Sequence, residues 1–112
     1  MATITPVSIN AGGTAGAQLT FAAASVGGDT IAAAAGAKLL VNNASGSSIT
    51  VTFTGTLVCP WTNGTVHNVP VTVAAGKVET IPVPGQCVDA TLLSCGVTYS
   101  AVTSVTVAAI TN

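Results

Sequence analysis

VTYSAVTSVTVAAITN, residues 97–112, carries no charge, no Gly and no Pro. Val97, Tyr99 and Ala101 alternate with Thr98 and Ser100; after Thr103 the pattern resumes as Val105, Val107 and Ala109. Period two is the mark of a strand with one buried face. The stretch therefore reads as one long strand, or as two with a tight corner near Thr103. Soluble proteins blunt exposed sheet edges with Lys, Pro or bulges. An uncharged strand of this kind is expected to be covered, within the domain or by a neighbouring copy. Thr98, Ser100 and Thr106 fall on the face opposite the valines and are candidate interface residues.

The same period recurs upstream. In SITVTFTG (48–55), Ile49, Val51 and Phe53 alternate with Thr50, Thr52 and Thr54. VPVTV (69–73) aligns Val69, Val71 and Val73, and KVETIPV (77–83) follows after AAG, with Gly76 expected to supply the positive φ of a short hairpin. AKLLVNNA (37–44) is a strand ended by NNASGSS. AQLTFAAA (17–24) is expected to put Leu19, Phe21 and Ala23 on one face. TITPVSI (3–9) reads as an edge strand, because Pro6 has no N–H for a ladder. Gly27, Gly28 and Gly36 bracket the alanine run 32–35 too closely for a stable helix, so it reads as a loop or at most one helical turn. The pattern predicts an all-β fold for residues 1–112: a single β-sandwich of seven to eight short antiparallel strands, Ig-like or jelly-roll. Two longer loops, 55–68 and 84–96, interrupt it.

Charged residues make up 4% of the 112 residues, against about 25% in ordinary soluble domains. Two lysines, no arginine and a net charge of −1 exclude an electrostatic grip on nucleic acid. The most apolar window, 30–41, is too short for a membrane span and contains Gly36 and Lys38. No basic n-region precedes an apolar h-region at the start, so a secretory signal is not expected. Abundant β-branched residues argue against disorder.

The sequence points to no catalytic chemistry. Cys59 and His67 share a loop, but neither an orienting carboxylate nor an oxyanion hole is implied by the spacing, and there is no G-x-S-x-G elbow. Cys59, His67, Cys87 and Cys95 are the ligand types of a Cys₃His zinc site, but the C-x₇-H and C-x₇-C spacings are not those of zinc knuckles. No metal and no cofactor are expected. Cys87 and Cys95 flank one loop and are the preferred disulfide candidates, worth roughly 2.5 kcal/mol of loop-closure entropy; Cys59–Cys87 and Cys59–Cys95 remain open. Asn43-Ala44-Ser45 and Asn63-Gly64-Thr65 read as turns rather than glycosylation sites. Trp61, beside Pro60, either anchors a partner or folds back as a lid.

Three stretches in order, AKLLVNNASGSSITVTF (37–53), VPVTVAAGKVETIPV (69–83) and VTYSAVTSVTVAAI (97–110), resemble the small all-β virion proteins of tailed bacteriophages, of the capsid decoration (cement) type. The resemblance spans roughly Gly27 to Ile110. It implies a structural protein made in the host cytoplasm and bound to the capsid surface. The implied partners are the major capsid protein and further copies of the chain, with no catalytic residue carried over. The alternatives are a minor tail or head–tail junction protein, and a carbohydrate-binding surface module using Trp61 and Tyr99.

Overall fold

A computed structural model describes residues 2–9, 18–32, 34–56, 58–59 and 65–111. In chain order the strands are β1 (Thr3–Ile4), β2 (Val7–Ser8), β3 (Ala22–Ala23), β4 (Asp29–Ile31), β5 (Lys38–Asn43) and β6 (Ile49–Phe53). They continue with β7 (Val58–Cys59), β8 (Thr65–Val66), β9 (Val69–Val73), β10 (Lys77–Pro82), β11 (Cys95–Tyr99) and β12 (Val105–Thr111). One five-stranded sheet has the order β1-β4-β11-β6-β9. The other runs β10-β5-β12-β2, with β3 also paired to β12. The two sheets pack as an all-β, sandwich-like domain.

Alternation explains the packing. Ile49, Val51 and Phe53 of β6 are buried, and Phe53 stands opposite Val97 of β11. From the second sheet, Leu39, Val41, Val105, Val107 and Ala109 join the same core. Each fully buried Val or Leu contributes roughly 1.5–3 kcal/mol.

The closing stretch forms two strands. Ser100 to Ser104 turn a corner, with Ser104 at φ +59 and the Val105 N–H bonded to the Val102 carbonyl. The corner sends β11 into one sheet, between β4 and β6, and β12 into the other, between β5 and the β2/β3 edge. Both strands are interior.

Three expectations are corrected. First, the expected strand 17–24 is not continuous over its described residues 18–24; only Ala22–Ala23 is a paired strand there, with Ala23 exposed and Ala24 buried. The reason is competition for one edge: β2 pairs with Ile110 and Thr111, so β3 meets β12 only at Thr106 and Val107. Second, Gly76 does take φ +73, but β9 and β10 do not pair as a hairpin. Asn43, fully buried, donates from Nδ2 to the Val73 and Ala74 carbonyls, and its own carbonyl accepts the Gly76 N–H. The turn wraps this side chain and carries the chain to the other sheet. Third, pairing is not all antiparallel, and the short strands exceed eight. The N-terminal segment changes sheets at Pro6, so β1 runs parallel to β4 and β2 parallel to β12. The loop 55–68 also holds a ribbon, β7 paired with β8.

Phe53 is the largest fully buried side chain among the described residues. Phe53→Ala is expected to cost about 3–5 kcal/mol, a large share of a small domain's stability. Urea unfolding should show a lowered midpoint, and a loss below 1 kcal/mol would contradict this packing.

Candidate functional site

The one buried charge among the described residues is Asp29, at the start of β4 and 1% exposed. Gly28 lets β4 begin there: its φ is +101, and a Cβ would lie 2.5 Å from the Val97 carbonyl oxygen. Asp29 Oδ1 accepts the Ala2 N–H at 2.9 Å; Oδ2 accepts the Ser25 N–H at 3.2 Å and the Tyr99 hydroxyl at 2.8 Å. Burial alone pushes this carboxyl up, but the bonds from Ser25, Tyr99 and Ala2 outweigh it and hold it below the usual range. Tyr99 is pushed up, first by burial and then by the bonded carboxylate. The pair ties the N-terminal segment, the β3–β4 turn and two strands of one sheet. In the fold it serves as a structural clamp. Tyr99, half-buried and bonded to Asp29, is not an exposed stacking platform.

Cys87 ends a short 3₁₀ turn (Gly85–Cys87), and Cys95 opens β11. Both are free, buried thiols of the same core. Cys87 Sγ contacts the Phe53 carbonyl oxygen at 3.7 Å. Burial raises both thiols, and the Cys95 thiol is pushed up to about 12 by burial with a further contribution from Cys87. Burial of this kind disfavours the thiolate form. Among the described residues, no group of three or more His, Cys, Asp or Glu could hold a metal ion.

Thr98 and Ser100 are exposed, while Thr106 is half-buried. All three face away from the core, but the corner before β12 puts Thr106 on the opposite sheet from the other two. The outer face of the first sheet is a run of hydroxyls: Thr30, Thr50, Thr52, Thr72 and Thr98 lie in register around Gly96 and Pro70. It carries no charged strand residue. Ser100 is partly committed, since its Oγ accepts the Thr50 N–H at 2.8 Å. The outer face of the second sheet presents Val78, Thr80, Leu40, Asn42, Thr106 and Ile110, with Ala108 buried among them and Lys38 the lone charge. Trp61 and Asn63 lie outside the described residues. Asn43 is a strand residue, and its complete burial removes it as a glycosylation acceptor.

The sequence reading missed Asp29 as a structural centre. An acid between Gly-Gly and Thr-Ile in an apolar strand pattern was the available signal. It also missed the exposed Leu92 and Leu93, which follow Asp89 within a hydrogen-bonded turn.

Comparison of the chain with protein-family models, characterised proteins and solved structures finds no match.

The clamp sets a pH dependence. A carboxyl with a lowered folded-state pKa stabilises above its unfolded value, near 4, and this stabilisation is lost as pH falls through the folded pKa. A tyrosine with a raised pKa stabilises below about pH 10, and the stabilisation fades above it. Tyr99→Phe is expected to cost about 1.5–3 kcal/mol at neutral pH and to start the acid loss at higher pH. Denaturation across pH checks both; an unchanged acid limb would remove Asp29–Tyr99 from this role.

Proposed function

We propose that the chain is a non-catalytic virion structural protein, a decoration (cement) protein bound in many copies to the outside of a phage capsid. The observation that carries this reading is the pair of broad outer sheet faces, built from hydroxyl and apolar side chains, with Lys38 as the single charge among the described strand residues that face outward. Such faces bind through packing and neutral hydrogen bonds, so the contact resists salt. A small domain gains stability by mass action when held at many equivalent sites. Thr98 and Ser100 then belong to one contact face and Thr106 to another. These two faces serve the major capsid protein and neighbouring copies.

The finer architecture in this proposal is an Ig-like plan with its outer strands exchanged. With β4, β5, β6, β9, β10, β11 and β12 as successive core strands, β5–β10 and β6–β11 match the B–E and C–F pairs of an Ig domain. The first strand, however, lies beside β11 and the last beside β5. Outside the reducing cytoplasm, Cys87 and Cys95 bridge and lock the 84–96 loop.

Cryo-EM of purified particles tests the placement. The expected result is density for this domain repeated over the head lattice, retained in high salt, with a Cys87–Cys95-linked peptide after digestion without reductant. Density confined to the tail or to a single junction ring, or absence from the particle, would overturn the reading.

A further inference from the structure

Leu92 and Leu93 are 73% and 52% exposed, on a loop whose shape is fixed from several sides. Asp89 Oδ1 accepts the N–H groups of Thr91 and Leu92, both at 2.8 Å. The Asp89 N–H bonds the Ser94 carbonyl, and the Leu93 N–H returns to the Asp89 carbonyl. The Leu93 carbonyl accepts the Ala34 N–H at 2.7 Å, which ties the loop to the turn after β4. Within this frame Leu93 stands at φ +56, in a region where Gly or Asn is the ordinary choice and a bulky side chain is strained. A loop that needed only to turn would not place leucine there, nor leave two apolar side chains in water. It is a rigid apolar knob.

The same chain carries a matching recess. A groove of about 270 Å³ opens between β1, β2 and β3 on one side and β12 on the other. Ile4, Val7, Leu19 and Val107 line it, and the small side chains of Ala22 and Ala23 leave its space unfilled. A site emptied of one leucine side chain amounts to about 150 Å³, so the groove has room for most of two. Asp29 reaches its wall, but both carboxylate oxygens are already bonded to Ala2, Ser25 and Tyr99. No other charged residue lines it.

The geometry points to a second copy of this chain as the occupant: Leu92 and Leu93 of one copy seat in the groove beside β12 of the next. Knob and recess agree in size, the one carboxylate at the recess wall is already satisfied by its own partners, and every copy carries both. The contact is therefore head-to-tail, of the kind that builds rings or open chains rather than a closed two-fold dimer. This deepens the self-association half of the proposed function and needs no capsid.

Sedimentation velocity on the purified chain over a concentration series tests it. A knob variant, Leu92→Lys with Leu93→Asn, retains an intact groove; a groove variant, Ala23→Phe, retains an intact knob. The parent should associate with rising concentration, and each variant alone should stay monomeric, its association weakened at least tenfold. An equal mixture should give a one-to-one dimer, because one good knob meets one good groove. Asn tolerates the left-handed backbone, so the knob variant should keep the parent's thermal midpoint. If Ala23→Phe fails to fold, Thr20→Lys at the groove rim replaces it. A monomeric parent, a knob variant that associates like the parent, or a mixture that stays monomeric would each overturn the contact. Because no particle is present, these outcomes stand apart from whether the chain coats a head.

Discussion

Val105–Thr111 is bounded on both sides. Val41, Leu40 and Leu39 of β5 stand opposite Val107, Ala108 and Ala109 along one edge, and β3 and β2 share the other. The strand before it, Cys95–Tyr99, is bounded in the same way by β4 and β6 in the facing sheet. The last strands of the chain thus fill an interior position in each sheet, and the remaining strands are arranged around them. Tyr99 fastens this arrangement to the chain's beginning through Asp29, which also holds the Ala2 N–H. Pairing of this kind is non-local, so the sheets cannot close until the C-terminal segment has joined them, a topology associated with slow folding.

With the uncharged strand inside, the edges are left to residues that refuse partners. β9 carries Pro70, which has no N–H to offer. On β10, Lys77 and Glu79 share the core-facing phase of Ile81, and Pro82 closes the strand. Inward-pointing charge and proline on an edge are known means of preventing edge-to-edge pairing. On the far side, β1 and β2 are two residues each and are separated by Pro6. Most of the few charges in this sequence therefore have definite positions: Lys77 and Glu79 at an edge, Asp29 in the clamp, and Asp89 capping the turn that holds Leu92 and Leu93. The outward-facing strand residues are left free of carboxylates, so the association proposed above would rest on packing and neutral hydrogen bonds.

Alternation was legible wherever a strand is flanked on one face only by core, as in Ile49–Phe53 and Lys38–Asn43. It also gave the outward orientation of Thr98, Ser100 and Thr106. Their distribution over two sheets was not legible, because it depends on a corner in which Ser104, a non-glycine residue, takes a positive φ. Gly76 announced a turn but not its destination, which is set by Asn43 reaching the Val73 and Ala74 carbonyls from far away in sequence. Ala17–Ala24 looked like a strand from its period, yet β2 had taken part of the edge it would have used. The Asp29–Tyr99 clamp joins residues 70 apart, which no local pattern reports. In the loop between Cys87 and Cys95 the exposed leucines carried no periodic signal.

Native-state hydrogen exchange tests the central claim, that the uncharged C-terminal strands form the interior of both sheets. Amides of Val105–Thr111 and Cys95–Tyr99 that donate into the ladders should exchange only through global unfolding, with the highest protection in the domain. Those of β1, β2 and the outward side of β9 and β10 should exchange faster, by local opening. Should the amides of Val105–Thr111 exchange as readily as those edges do, the closing strand is peripheral and the account fails.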